Sequence, residues 1–118
     1  MNLLKVIRSF GPALKGMKTA VVSENNFHIH LVAAIIVIAL GYYFNVQRSD
    51  WLWLTAAIGL VFITEYLNTA IEKLTDLVSP QFDERAGKVK DIAAGAVLMA
   101  ALVAMIIGVL VFFPYLNP

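Results

Sequence analysis

Three long apolar stretches occupy most of the chain, and each is close to the length a bilayer demands. They run from about Ile29 to Phe44, from Trp51 to about Ile71, and from Ile92 to Phe113. A spanning helix takes roughly 20 apolar residues, with a range of about 17–25. The second and third stretches meet that outright. The first meets it if the helix continues back through Asn26–His30 into the headgroup zone. Hydrocarbon offers no partner to backbone N–H and C=O groups, so such stretches fold as helices. The chain is predicted to be an all-α integral membrane protein with spans at about 27–44, 51–74 and 88–113, after an interfacial helix over about 2–24.

Only 14% of the residues are charged and 60% are hydrophobic. A soluble domain carries about a quarter charged residues. A length of 118 residues allows one domain and no separate soluble catalytic unit. Catalytic groups must therefore come from the helices and their joints. The formal net charge of +1 gives no strong pull on nucleic acid. The absence of cysteine removes disulfides, thiolate catalysis and iron–sulfur ligation.

Charge placement predicts topology. Lys5, Arg8, Lys15 and Lys18 precede the first span, and Lys73, Arg85, Lys88 and Lys90 lie between the second and third. The turn at Asn45–Asp50 holds only Arg48. Excess Lys and Arg mark cytoplasmic segments, which places the N-terminus inside and the C-terminus outside. Tyr42, Tyr43, Phe44, Trp51, Trp53, Phe112, Phe113 and Tyr115 then form an aromatic belt on the far side. The basic N-terminal segment has no small-residue cleavage site and does not resemble a signal peptide. Gly11 and Pro12 are expected to break it. After them Leu14, Met17, Ala20 and Val21 recur at helical spacing, with Lys15 and Lys18 off the stripe. Either an interfacial helix or an ordinary packing helix satisfies that pattern.

The chemistry concentrates in Glu65-Tyr66-Leu67-Asn68-Thr69-Ala70-Ile71-Glu72 and Asp76, at the basic end of the second span. At helical spacing Glu65, Asn68, Glu72 and Asp76 fall in a stripe about 80° wide. Placing Glu65 near hydrocarbon costs at least about 2.5 kcal/mol, so the position implies a use. The bland alternatives are a lysine partner for Glu65 and plain solvation for Glu72 and Asp76. A second cluster, from Asp83 to Asp91, supplies Arg85, Lys88 and Lys90, which simple membrane anchoring would also explain. Carboxylates that hold magnesium and cations that meet phosphate oxygens are what phosphoryl transfer requires. Magnesium takes few carboxylates, so Glu24 and Glu72 would suffice. No GxxxxGK[ST] loop and no glycine-rich kinase loop occur. His28 and His30 point to different helix faces, so headgroup contact or packing fits them better than a metal. Ala96, Ala100, Ala104 and Gly108 recur every fourth residue, as a seam for close helix packing.

The run from Glu65 to Glu72, Asp76, and Lys90-Asp91-Ile-Ala-Ala-Gly-Ala-Val97 resemble the prokaryotic diacylglycerol kinase family, whose pattern is E-x-x-N-[ST]-A-I-E and then A-K-D-x-x-[SA]-x-A-V. Glu24-Asn-Asn-Phe27 resembles its E-x-x-F element, and the likeness covers nearly the whole chain. It implies a homotrimer with shared active sites, using ATP and magnesium. Carried over by residue, it implies Glu65 as general base and Glu24 and Glu72 as magnesium carboxylates. Asn68, Lys90 and Asp91 fall in the catalytic and nucleotide site, Pro12 and Asp83 among nucleotide-binding positions, and Lys5 beside the lipid. Pro12, Val89 and Ala94 depart from the enterobacterial pattern. Thr69, Ala93–Val97, Ser9-Phe10 and Lys15-Gly16 resemble the undecaprenol kinase branch of Gram-positive bacteria. The expected activity is thus MgATP-dependent phosphorylation of a lipid alcohol in the bacterial cytoplasmic membrane. Undecaprenol is the first acceptor and diacylglycerol the alternative. A proton-coupled transporter is the rival of another class, though all the acids of the stripe sit near one face.

Overall fold

The computed structural model describes residues 2–117, except for the side chain of Asn25. Four helices follow in order: α1 (Leu3–Ser23), α2 (Asn25–Tyr43), α3 (Arg48–Val78) and α4 (Glu84–Leu116). There is no strand among the described residues. The last three are long and apolar enough to cross a membrane. The fold is all-α, and the chain is a membrane protein.

Gly11 and Pro12 do not break α1, contrary to the sequence expectation; Pro12 lies inside one continuous helix. Proline fixes φ near the helical value and costs one hydrogen bond, to the carbonyl four residues back. Pro12 is exposed, so that carbonyl has access to solvent or headgroups. Asn2 caps the start through Oδ1, which accepts from the Leu4 N–H at 3.0 Å. A single extended residue, Glu24, separates α1 from α2. The corner of the chain therefore carries a carboxylate.

The turn from α2 to α3 is short because Asn45 takes φ 51°, a left-handed conformation that asparagine tolerates. Gly41 faces the Trp51 ring, where a Cβ would meet Cη2 at 2.5 Å. Only glycine allows that approach. Val46, Leu54 and Val111 form the buried apolar cluster here, with Phe44, Trp51, Phe112 and Tyr115 packed around it. The aromatic residues expected at one membrane face thus meet at one end of the bundle.

The longest interface is between α3 and α4. On α4 it buries Ala93, Ala100 and Val111. The expected seam is used in part within one chain. Ala100 is buried, Ala96 is exposed, and Ala104 and Gly108 line a groove instead. A helix resting on a neighbour along its length drifts off a strict four-residue row. Most large apolar side chains of the spans remain exposed, among them Ile35, Leu98 and Leu110. Such a surface suits lipid or further protein rather than water.

Candidate active site

Depth places the acidic stripe before any contact does. At 1.5 Å per residue, Glu65 lies about 26 Å along α3 from Arg48, close to the far edge of a hydrocarbon layer about 30 Å thick. Glu72 and Asp76 follow beyond it. Phe27 then sets the register of α2 against α3. It is 1% exposed, with its ring centroid 4.7 Å from that of Tyr66 and 6.2 Å from that of Phe62. Glu24 and His30 stand three residues to either side of Phe27. Antiparallel packing therefore brings Glu24 toward Glu72 and His30 toward Glu65.

Glu65 is 1% exposed. His30 Nε2 lies 3.3 Å from its Oε2. The sequence pointed to a lysine partner for Glu65 as the alternative to catalysis; the partner is a histidine. His30 packs, as expected of that segment, but against the acid. The missed signal was the three-residue spacing of Glu24, Phe27 and His30. One turn along α3, Asn68 Nδ2 donates to Glu72 Oε1 at 3.4 Å. Three buried oxygens of this region have no hydrogen-bond partner among the described residues: Glu65 Oε1, Asn68 Oδ1 and Thr69 Oγ1. Buried polar atoms are satisfied in the great majority of cases. Three orphans within five residues mark a place that expects a polar guest.

Desolvation, and then the nearby carboxylates of Glu72 and Glu65, push the Glu24 carboxyl above its ordinary value of 4.5. Lys73 opposes the shift weakly. Two carboxylates held together against their mutual repulsion fit a hard divalent cation completed by phosphate oxygens and water. Among the described residues no three His, Cys, Asp or Glu side chains converge into a closed metal cage. The donor set thus suits magnesium rather than a structural zinc.

Lys90, on α4, pairs with Asp76 Oδ1 at 2.5 Å and feels the charge of Glu72. It is therefore held at the edge of the acidic cluster, and Asp76 is its partner rather than a fourth acid of the site. Asp91 is exposed on the next position of α4. Asp83 caps α4, accepting from the Arg85 N–H at 2.8 Å and pairing with its guanidinium at 3.0 Å. Hydrogen bonds from the Arg85 side chain and backbone hold the Asp83 carboxyl below its usual value. Lys5 and Pro12 are exposed on α1. Within one chain, none of these four joins the acidic cluster by a hydrogen bond or ion pair. The structure brings together Glu24, His30, Glu65, Asn68 and Glu72, with Lys90 beside them, and leaves the others apart.

An apolar groove of about 530 Å³ runs between α2, α3 and α4. Ala33, Val37, Val61, Ala104 and Phe112 are among its walls, and His30 stands at its polar end. Between Glu65 and Asp50 the only polar side chains on α3 are Thr64 and Thr55. A transporter would need a polar path across that distance, so the rival has no support here.

The profile of the family described as prokaryotic diacylglycerol kinase matches residues 11–112. The chain is 37% identical to the undecaprenol kinase of Bacillus subtilis over 98% of its own length and 94% of that protein. It is 31% identical to the diacylglycerol kinase of Escherichia coli K12, covering 86% of this chain and 84% of the relative. A diacylglycerol kinase of Synechocystis is 38% identical over 90% of this chain and 61% of its own length.

Proposed function

Because the chain belongs to the prokaryotic diacylglycerol kinase family and is accordingly a lipid kinase, we propose that it transfers the γ-phosphoryl group of ATP to undecaprenol, giving undecaprenyl phosphate and ADP. The single observation that carries the site assignment is the gathering of Glu24, Glu65 and Glu72 at the same end of the bundle, with Lys90 beside them. Support for the polyprenol comes from the Bacillus relative, named for that activity and alike over nearly the full chain.

Glu65 accepts the proton of the lipid hydroxyl. As that O–H bond breaks, the oxygen bonds the γ-phosphorus, and the bond from phosphorus to the β–γ bridging oxygen breaks to release ADP. Glu24 and Glu72 would hold magnesium, which when bound offsets charge on the triphosphate. The Lys90 ammonium meets the charge of the transferring group, and Asn68 keeps Glu72 in place through its amide. Lys5, Pro12, Asp83 and Asp91 lie apart in a single chain. A homotrimer whose neighbouring subunits bring them to the site would account for their positions, and the exposed apolar faces leave room for it. The excess of Lys and Arg puts this end in the cytoplasm, where ATP is.

The test is transfer of labelled phosphate from ATP to undecaprenol and to diacylglycerol, side by side in liposomes. Undecaprenol should be preferred by at least about tenfold in kcat/KM. A preference for diacylglycerol, as in the relatives named for it, would replace the acceptor and keep the kinase. Glu65→Gln should abolish transfer to both. Undiminished transfer by that variant removes Glu65 as the base.

A further inference from the structure

His30 is a side chain of the acidic end that has no task in the mechanism above. It sits in the second turn of α2 and is half-buried. Its ring meets Phe62 edge-on, with centroids 6.4 Å apart and planes at 70°. It is also the one ionisable residue that lines the apolar groove. The contact with Phe62 therefore orients the imidazole before its nitrogen is considered.

Glu65 has no other hydrogen bond among the described residues: Oε2 meets His30 Nε2 at 3.3 Å and Oε1 has no partner. A carboxylate that serves as a base only accepts, so the role given to Glu65 above requires Nε2–H as the donor of the pair. A buried carboxylate without that donor is free to turn about its terminal torsion, which is broad. It would then offer either oxygen, or neither in line with the reacting atom. A base one ångström out of place loses much of its rate.

We propose that His30 is a positioning residue for Glu65: its Nε2–H holds Oε2 and leaves Oε1 as the oxygen that receives the lipid hydroxyl at the polar end of the groove. This rests on Glu65 being the base. A histidine that only filled space would be replaceable by any side chain of similar bulk. A donor needed at the Nε2 position is replaceable only by a group that reaches there. Glutamine places its amide nitrogen near that point, whereas asparagine reaches only the level of Nδ1.

The experiment uses the full-length protein in lipid nanodiscs with ATP and undecaprenol, comparing His30→Leu, His30→Gln, His30→Asn and Glu65→Gln. His30→Leu and His30→Asn should lose about tenfold to a hundredfold in kcat while KM for ATP stays within about twofold. His30→Gln should recover most of the wild-type kcat. Wild-type kcat in His30→Leu, with Glu65→Gln inactive, overturns the positioning role and spares the base. Equal kcat in the Gln and Asn variants overturns it too, and that pair decides if the Leu variant does not fold. An active Glu65→Gln overturns the base assignment itself, and this inference with it.

Discussion

The two ends of the helix bundle are built on opposite principles. At the aromatic end the turn is closed by hydrogen bonds within the chain. The Gln47 N–H donates to Asp50 Oδ2 at 3.2 Å and to the Tyr115 hydroxyl at 3.1 Å. That hydroxyl donates to Asp50 Oδ2 at 2.5 Å, so the last turn of α4 is tied to the first turn of α3. At the acidic end three buried oxygens within five residues have no partner among the described residues, and carboxylates face one another. One end completes itself. The other leaves buried oxygens open to a guest from outside. The difference teaches where stability is stored and where it has been given up for chemistry.

The comparison can be broken most directly by exchanging charge at the acidic end. Glu72→Gln should lower phosphate transfer by about a hundredfold to a thousandfold, the range for losing one preorganised charged group. Its thermal midpoint in detergent should stay the same or rise, because a repulsion is removed. A fall in midpoint that matches the loss of activity would mean the acids hold the fold together.

Next in size is Gly41→Ala at the aromatic end. The added Cβ would meet Trp51 at 2.5 Å, and overpacking of this kind costs about 1–3 kcal/mol. Thermal unfolding should show the loss, while activity per folded molecule stays near wild type.

A matched pair sharpens the contrast further. Tyr115→Phe removes a hydroxyl with two partners and should cost about 1–2 kcal/mol. Thr69→Val removes a buried hydroxyl with none, on a residue 2% exposed. It should be neutral or stabilising by up to about 1 kcal/mol. Equal losses would mean the two ends do not differ.

The smallest effect is on pH. Desolvation and neighbouring carboxylates raise the Glu24 pKa in the fold above 4.5. A raised acid favours the fold while protonated, so stability without metal is highest below the ordinary value and declines as pH rises through the folded one. Magnesium needs the ionised form. Its stabilising effect, read as a rise in thermal midpoint, should therefore grow over the same interval as pH rises, with protons released on binding. A magnesium effect that is flat across that interval would take Glu24 out of the ion's coordination.

The spans and the acidic stripe were legible because they are local. Hydrocarbon demands a continuous apolar helix, and helical periodicity alone puts Glu65, Asn68 and Glu72 on one face. Pro12 misled because a proline's cost in an exposed helix depends on what reaches the freed carbonyl, and that is not written nearby. The seam of small residues on α4 shows another limit of local pattern. A four-residue repeat shows that a face can pack closely, not which neighbour it meets, and α3 took Ala93, Ala100 and Val111.

By itself, then, the sequence determined the helical class, the number of spans and the helix face that holds the acids, since each follows from interactions within a few residues. Only the tertiary structure decided the partners: His30 for Glu65, Glu72 for Glu24, Asp76 for Lys90 and Asp50 for Tyr115. Partners depend on the register of one helix against another. Phe27 beneath Tyr66 and the Gly41–Trp51 contact set that register for α2 and α3, and the Tyr115–Asp50 tie sets it for α3 and α4. Each joins residues well separated in the chain, beyond the reach of any local pattern.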